Sequence, residues 1–258
     1  MARRNQGLII GLTTFHHEFL QISVRGLARA KKNATLIIYN DNPCQKLTHR
    51  QIRRLGFRGR ENIINTDENI GQIRARVAIL DYARTNRIDA PWFMFANDDD
   101  VIVNADAPRI DDNVFAIMGN AVTIGGRLLD VLRVMANPND YTPDGVDTVM
   151  FAPNISMAGT FVRTKYMYEF GGFLSGLIPG LTEIISDVPF AVPSDTIMWH
   201  MFIEFMRISH PTLSPIYMSQ TNYLMTKLNN TRYPSASQRD GIVSRAVAIV
   251  GAALRGNN

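Results

Sequence analysis

The first hundred residues alternate between two apolar patterns, and this alternation constrains the fold more than any other feature of the chain. Short apolar runs that end in polar turn residues predict buried strands, whereas longer segments with apolar residues at helical spacing predict helices. The predicted strands are GLIIGLTTF, ATLIIYNDN, ENIINT and PWFMFA, and the predicted helices are HEFLQISVRGLARAKK, HRQIRRLGF and QIRARVAILDYARTN. Strands that alternate with helices indicate parallel strands joined by right-handed crossovers, and therefore an α/β fold.

The later part of the chain gives a less regular pattern. It predicts a strand and a helix within 113–135, a turn-rich loop over 137–147, a strand over 155–164, a short helix that ends at a glycine pair, an amphipathic helix over 194–208 and a last helix over 239–256. Neither a repeat nor a low-complexity linker divides the 258 residues. We therefore expect a single domain over 1–258.

Composition excludes several classes of protein. With 46% hydrophobic and 19% charged residues, the chain is neither disordered nor fibrous. No 18-residue window is both free of charged residues and predominantly apolar, so we expect no membrane span. Cys44 is the single cysteine and cannot form an internal disulfide, which fits a reducing compartment and predicts a cytoplasmic location.

Positive charge is concentrated in the first part of the chain. Residues 1–90 contain 16 Lys and Arg against 7 Asp and Glu, and the segment from Lys46 to Arg60 contains no acidic residue. Arginine, whose planar fork suits phosphate groups, outnumbers lysine. The segment is either a solvated helix surface or a binding surface for a phosphate-bearing ligand or nucleic acid.

The residues Asn97-Asp98-Asp99-Asp100 follow the predicted strand PWFMFA directly. Ligands of open α/β sheets bind beyond the carboxyl ends of the strands, where this cluster is expected to lie. Three adjacent carboxylates repel one another, and Mg²⁺ or Mn²⁺ can bridge one or two of them to substrate phosphates. In an extended segment Asp98 and Asp100 point the same way and can share one ion, while Asp99 points elsewhere. The alternative is a solvated acidic turn.

The order of these segments resembles that of the GT-A-fold glycosyltransferases, in which an Asp-x-Asp motif after the fourth strand holds a metal-bound nucleotide-sugar. The resemblance covers about residues 7–210 and rests on six segments in the same order: LTTFHHEFLQISVRGL, IIYNDN, the Asn-x-Gly and Ala-Arg pattern over 69–76, FMFANDDDVIV, MAGTFVRTKYMYEFGGF and SDTIMWHMF. The family fold is α/β and Rossmann-like, with a mixed, mostly parallel central sheet flanked by helices. The chain departs from the family pattern at Val77, Asn97 and Ser194.

The resemblance implies a donor site, a metal site and an acceptor site. It implies that residues 1–104 bind a nucleotide-sugar, most simply a UDP-sugar, and that 105–258 contain the acceptor-binding half and a C-terminal helix. The implied metal is Mn²⁺ or Mg²⁺. The implied nucleotide-sugar residues are Thr13, Phe15, Asp41, Asn69, Gly71, Arg76, Asp98 and Asp99; the metal ligands are Asp98, Asp100 and His210; Gly171 and Gly172 contact the acceptor or sugar; and Asp195 is the catalytic base.

The predicted function is therefore metal-dependent transfer of a sugar from a nucleotide diphosphate sugar to an acceptor hydroxyl. The basic first half makes a polyanion such as modified DNA a possible acceptor. A nucleotidyltransferase is one alternative, although TTFHHEF lacks the glycines of a phosphate loop. A non-catalytic, basic nucleic-acid-binding module is the other. For Asp195, an ordinary helix cap is the competing interpretation, and inversion or retention at the sugar is open.

Overall fold

Over residues 8–97 strands and helices alternate as the sequence patterns predict. A computed structural model describes residues 7–31, 34–107, 110–124, 157–186, 194–226 and 236–256. The strands are β1 (Leu8–Thr14), β2 (Thr35–Asn40), β3 (Arg60–Asn65), β4 (Trp92–Asn97), β5 (Val101–Ile102), β6 (Val114–Ile124), β7 (Phe161–Arg163) and β8 (Ser214–Thr226). The helices are α1 (Leu20–Ala30), α2 (His49–Arg54), α3 (Gln72–Thr85), α4 (Thr164–Ser186), α5 (Ser194–Ser209) and α6 (Ala236–Gly256).

The strands form one mixed sheet in the order β3-β2-β1-β4-β7-β6-β8-β5. β1 pairs in parallel with β2 and β4, and β2 pairs in parallel with β3. β7 runs antiparallel to both β4 and β6, while β8 is parallel to β6 and antiparallel to β5. The expectation of a mixed, mostly parallel sheet flanked by helices is confirmed.

Both faces of the central strands are buried. In β1, Ile9 faces one apolar cluster, whereas Leu8 and Ile10 face another, because successive side chains of a strand point to opposite faces. The first cluster includes residues of α3, α4, α5 and α6, and the second includes residues of α1 and α2. The sheet is therefore covered by helices on both sides, which explains why its central strands are continuous apolar runs in the sequence.

Several predictions about the later part of the chain are corrected. The helix predicted to end at Gly171 and Gly172 continues to Ser186. Of the strand predicted over 155–164, only β7 forms among the described residues 157–164. The long strand β8 was not predicted, because its Ser, Gln, Thr and Asn residues are typical of a loop, and it forms as the partner of β6. The helix predicted within 113–135 and the loop over 137–147 fall mostly or wholly on 125–156, outside the described residues.

Strands from both predicted halves, 1–104 and 105–258, join the same sheet, since β4 pairs with β7 and β5 with β8. The division into a donor half and an acceptor half stays a prediction. Among the helices that the structure describes, none combines the length and the hydropathy needed to cross a membrane. Cys44 is exposed. The cytoplasmic location also stays a prediction.

Candidate functional site

The carboxyl ends of β1 and β4 lie side by side where the strand order reverses. β1 has β2 on one side and β4 on the other, and Thr13 lies opposite Asn97 in the β1–β4 pairing. Thr14 Oγ1 donates a hydrogen bond of 2.7 Å to Asp98 Oδ2, and the backbone N–H of Phe15 donates to the same oxygen at 3.3 Å. Open α/β sheets bind ligands in the crevice at such a reversal, so this is the candidate site.

The three aspartates after β4 form a turn. β4 ends at Asn97, and the chain bends through Asp98–Asp100 before β5 begins. The premise that Asp98 and Asp100 lie along an extended segment is therefore wrong. The two side chains have different hydrogen-bond donors, because Asp98 accepts from Thr14 and Asp100 accepts from Asn97 Nδ2 at 3.0 Å.

Negative charge accumulates in this turn. Asp100 is buried, and Asp98 and Asp99 are half-buried. Burial, followed by the charges of Asp100, Asp98 and Asp195, raises the pKa of Asp99 to about 7. Burial also raises the pKa of Asp98, although its hydrogen bond from Thr14 lowers it. Burial and the neighbouring carboxylates thus oppose ionisation of this turn, and a bound cation would favour the ionised carboxylates.

The residues fit a divalent cation that shares its coordination with a substrate. Within the described ranges, no group of three or more His, Cys, Asp or Glu side chains is arranged to hold a metal ion alone. Mg²⁺ does not need three protein ligands, since it is usually bound by one or two carboxylates together with substrate phosphates and water. The crowded carboxylates of the Asp98–Asp100 turn provide the hard oxygen donors for that arrangement.

Asn97 connects this turn to α3 and α5 through one side-chain amide. Its Oδ1 accepts from Gln72 Nε2 at 2.7 Å and from Arg76 Nη2 at 2.8 Å. Its Nδ2 donates to Asp100 Oδ2 at 3.0 Å and to Asp195 Oδ2 at 3.2 Å. An asparagine amide has two lone pairs and two protons, and these four contacts use them all. Asn97 therefore holds both carboxylates at fixed positions.

Arg76 and Asp195 form an ion pair beside Asn97. Arg76 is completely buried, and its Nη2 contacts Asp195 Oδ1. The guanidinium carbon of Arg76 lies 5.3 Å from the ring centroid of Phe95, so the charge also faces an aromatic ring. Its Nε and Nη1 have no hydrogen-bond partner among the described residues. Asp195 lies in the first turn of α5 and keeps free lone pairs, because an ionised carboxylate offers about four acceptor positions.

Apart from Asp98 and Asp99, the predicted nucleotide residues lie at the ends of β1 and β2 and at the start of α3. Phe15 is exposed just beyond β1. Asp41 is buried, and its two carboxylate oxygens accept from the backbone N–H groups of Ile70 and Gly71 at 2.8 and 2.9 Å. Asn69 Oδ1 also accepts from Gly71 N–H, at 3.1 Å. Asp41 thus fixes the turn before α3, and its contact with a nucleotide stays a prediction.

Gly71 shows why that turn needs glycine. Its φ is +79°, a backbone conformation that other residues rarely adopt, and it immediately precedes α3. A Cβ built at Gly71 would meet no atom within 4 Å. Space is therefore left open beside the start of α3, next to the hydrogen bonds that Asp41 accepts.

The structure does not bring Gly171 and Gly172 to this crevice. Both lie within α4 and face the far end of α3, where Cβ atoms built on them would lie 2.8 Å from Leu80 Cβ and 3.0 Å from Arg84 Nη1. Leu80 is eight residues from Gln72, or about 12 Å along the helix. The glycine pair allows two helices to approach closely, and its predicted contact with the acceptor has no support in this geometry.

His210 is also remote from the aspartates. It follows the end of α5, whereas Asp195 lies at the start, so about 22 Å of helix separates them. Its Nε2 forms a hydrogen bond of 2.6 Å with Glu169 Oε2. His210 is therefore not placed to act as a third metal ligand with Asp98 and Asp100.

Gln72 and Ser194 are site residues that the sequence did not indicate. Ser194 Oγ donates to Gln72 Oε1, and Gln72 Nε2 donates to Asn97. Asn97 and Ser194 stand out in the sequence only as departures from the family pattern. Two of the three departures, Asn97 and Ser194, therefore form hydrogen bonds with the same residue, Gln72.

Comparison with known proteins identifies the architecture. No family model and no curated protein matches the chain. Among solved structures, a crystal structure of GalNAc-T7 with UDP, GalNAc and Mn²⁺ matches with a TM-score of 0.56 and 8% identity, covering 96% of this chain and 48% of that one. The fold is of the GT-A glycosyltransferase type. The chain spans about half the length of GalNAc-T7.

A second GT-A structure, glucosyl-3-phosphoglycerate synthase from Mycobacterium tuberculosis in complex with Mn²⁺, UDP and phosphoglyceric acid, matches with a TM-score of 0.44 and 8% identity. The match covers 96% of this chain and 78% of that chain. At 8% identity the match to GalNAc-T7 shows the GT-A fold alone. The predicted fold class is therefore confirmed, whereas the site residues of this chain stay predictions that rest on its own geometry.

Proposed function

We propose that the protein is a metal-dependent glycosyltransferase that moves a sugar from a UDP-sugar to an acceptor hydroxyl. One observation carries the proposal. Asn97, at the strand-order reversal of a GT-A-type sheet, hydrogen-bonds both to the acidic turn and to the separate carboxylate of Asp195. A donor with a diphosphate needs cation-binding groups, and an acceptor hydroxyl needs a nearby base.

The acidic turn would serve the donor. Asp98 and Asp100 would hold the cation, and a bound cation would favour the ionised form of Asp99, whose pKa is raised to about 7 by burial and by the neighbouring carboxylates. When bound, a divalent cation compensates the charge that develops on a departing diphosphate. The UDP and Mn²⁺ present in the structures of GalNAc-T7 and glucosyl-3-phosphoglycerate synthase support this choice of donor and metal.

Asp195 would serve the acceptor. In an inverting reaction, the acceptor oxygen bonds to the anomeric carbon while the bond from that carbon to the diphosphate oxygen breaks, and UDP leaves with the electron pair. The Asp195 carboxylate takes the proton of the acceptor hydroxyl. Arg76 and Asn97 hold this carboxylate in place, through an ion pair with Oδ1 and a hydrogen bond to Oδ2. A retaining reaction would not need this base.

Titration calorimetry with UDP tests the donor site. We expect UDP to bind in the presence of Mn²⁺ and only weakly without it, and Asp100→Ala to abolish the metal-dependent part. Asp112→Ala is the matched control, because the Asp112 side chain is fully exposed and forms only a long ion pair, with 3.5 Å between its Oδ1 and Arg163 Nη2. Removing one of several crowded charges should leave the metal-free protein folded. Unchanged Mn²⁺-dependent binding in Asp100→Ala would contradict the proposed metal site.

The donor sugar can be found without knowing the acceptor. Glycosyltransferases of this kind are expected to hydrolyse their donor slowly, with water as the acceptor, giving UDP and the free sugar. A screen of UDP-sugars for release of UDP, with Asp100→Ala as the negative control, should single out the donor. UDP release from none of the donors, despite metal-dependent UDP binding, would instead favour a binding protein.

We also propose that the acceptor is a polyanion such as DNA with a hydroxylated base. The basic surface, defined as the exposed arginines of α1, α2 and the loop after α2, supports this choice; its members are Arg25, Arg29, Arg50, Arg53, Arg54 and Arg58. α1 and the segment from Asn42 to Arg60 contain no acidic residue. Nucleic acid is attracted by such a surface because phosphate contacts release bound counterions.

Salt dependence of DNA binding tests this acceptor. We expect the affinity for duplex DNA to fall steeply with salt, and Arg50→Gln with Arg54→Gln to flatten the log–log slope by about 0.9 for each lost phosphate contact. Arg53 is left intact because its Nε donates to the buried carboxylate of Glu61 at 2.6 Å.

The matched control is Arg84→Gln with Arg245→Gln, which removes two arginines outside the basic surface. Arg84 lies on α3 and Arg245 is exposed on α6, both helices of the opposite face of the sheet. This control should leave the slope unchanged. Equal slopes in all three proteins would show that the arginines of α2 are only a solvated surface. DNA binding without any metal-dependent UDP binding would favour the non-catalytic module.

A further inference from the structure

We propose that Asn97 is a positioning residue that couples the donor-side carboxylate Asp100 to the acceptor-side carboxylate Asp195. The inference rests on the proposed function and concerns a residue whose side-chain amide donates a hydrogen bond to each of the two carboxylates. Asn97 itself does not touch the reacting atoms in this scheme. It acts by fixing where the two carboxylates stand relative to each other.

The orientation of the Asn97 amide is determined by its neighbours. Arg76 has only donors, and the carboxylates of Asp100 and Asp195 have only acceptors when ionised. Asn97 Oδ1 must therefore face Arg76, and Nδ2 must face the carboxylates. A rotation of 180° would place oxygen against oxygen on one side and donors against donors on the other. The amide consequently has one stable orientation.

Two residues in the first two turns of α3 hold the amide oxygen of Asn97 in place. Gln72 and Arg76 are four residues apart and so lie on one face of α3, and both donate to Asn97 Oδ1. Gln72 is held in turn by Ser194 at the start of α5. The two elements that carry the base and the buried arginine are thereby joined to the end of β4 through a single side chain.

An aspartate at position 97 is the sharpest test because it has nearly the same shape. Asn97→Asp keeps the acceptor for Gln72 and Arg76, but it replaces two donated hydrogen bonds by repulsion between carboxylates. We expect the affinity for UDP in the presence of Mn²⁺ and the kcat of donor hydrolysis both to fall by about 10- to 100-fold, the usual worth of a hydrogen bond to a charged group. Asp195→Asn should lower the kcat alone, and Asp100→Ala should remove UDP binding.

A second variant tests the contact without any bound metal or nucleotide. Asn97→Asp should lower the melting temperature of the metal-free protein, and adding Asp195→Asn should restore much of the loss, because the amide introduced at 195 can donate to the carboxylate introduced at 97. Arg76 keeps a carboxylate partner in that double variant. If the loss of stability in the double variant equals the sum of the losses in the two single variants, the two residues do not interact directly.

Asn65→Asp is the matched control, since Asn65 ends the strand β3 and its amide holds the backbone of Leu47. It should lower the melting temperature without changing hydrolysis measured well below that temperature. If Asn97→Asp behaves in the same way, Asn97 is merely structural and the inference is wrong. If Asp100→Ala also leaves UDP binding unchanged, the proposed function fails as well, and the two failures are thus distinguishable.

Discussion

The start of α3 is surrounded by charged and polar partners, whereas its end is packed against glycines. At the start, Gln72 and Arg76 both donate to Asn97, and Arg76 pairs with Asp195 although it is completely buried. Burying a charge is costly, and Arg76 carries nitrogens with no partner among the described residues. Such an arrangement is poor for stability and is typical of a site that binds something.

The end of α3 has the opposite character. Leu80 faces Gly171 of α4, and Ser175 of α4 donates to Asp81 at 2.7 Å. These contacts fill space and satisfy exposed or half-buried polar groups, and they leave no buried charge. One helix therefore serves the candidate site at its first two turns and holds α4 against the sheet at its later turns.

The difference between the two ends shows that the order of motifs along the sequence is not enough to assign a role to each motif. The glycine pair follows the family pattern and yet lies at the packing end, while Asn97 departs from the pattern and lies at the centre of the site. Position relative to the carboxyl ends of the strands distinguishes the two ends. Substitutions at each end should accordingly separate activity from stability.

The largest effect is expected from Asp195→Asn at the site end. General-base assistance is worth about 10²- to 10⁴-fold, so the kcat of donor hydrolysis or transfer should fall by that factor. The affinity for UDP with Mn²⁺ should change little, because the role proposed for Asp195 is on the acceptor. Steady-state kinetics and calorimetry on the same preparation measure both quantities.

The ion pair with Arg76 makes a stability control necessary for this variant. Leaving a buried charge without its partner costs about 3–5 kcal/mol in other proteins, so Asp195→Asn should also lower the melting temperature. Adding Arg76→Gln removes the unpaired charge and should recover stability without recovering turnover. Full turnover in Asp195→Asn would show that Asp195 is only the partner of Arg76, and that the base lies elsewhere or the reaction is retaining.

A smaller effect, on stability alone, is expected from Gly171→Ala at the packing end. The new Cβ would lie 2.8 Å from Leu80 Cβ, an atom bonded directly to the backbone of α3, so the helices must move apart. Overpacking of this kind costs about 1–3 kcal/mol in the free energy of unfolding. Denaturant unfolding should show the loss, while hydrolysis and transfer assayed well below the melting temperature should be unchanged.

The opposite result would break the comparison between the two ends of α3. A Gly171→Ala protein with normal stability and impaired transfer would mean that Gly171 meets the acceptor after all. The position of α4 relative to α3 would then have to change when substrate binds.

The sequence was sufficient to predict the strands β1 to β4 and the helices between them. The apolar runs of β1, β2 and β4 are buried on both faces and therefore carry a strong, local signal. The strand β8 was missed because its pattern is polar and its pairing with β6 joins residues far apart in the chain. Local propensity contains no information about such a partner.

The site was predictable only in part, for a related reason. The aspartates after β4 and the position of Asp195 before an apolar helix can be found in the sequence. The hydrogen bond between Asn97 and Asp195 spans 98 residues, and the turn at Asp98–Asp100 depends on contacts with Thr14 and Asn97. Side-chain contacts across that separation follow from the packing of α3 and α5, which no spacing rule provides.

The smallest effect is expected from Gly172→Ala, one residue along α4. Its Cβ would lie 3.0 Å from Arg84 Nη1, which is the far end of a long side chain that is about half exposed and can move. A glycine inside a helix costs roughly 0.5–1 kcal/mol relative to alanine, so this substitution should leave stability unchanged or raise it by up to that amount. Thermal unfolding of Gly171→Ala and Gly172→Ala side by side measures the contrast. Only Gly171 faces an atom, Leu80 Cβ, that cannot move without the backbone of α3. Equal destabilisation by both substitutions would therefore mean that the close approach to Leu80 does not determine the packing of α3 against α4.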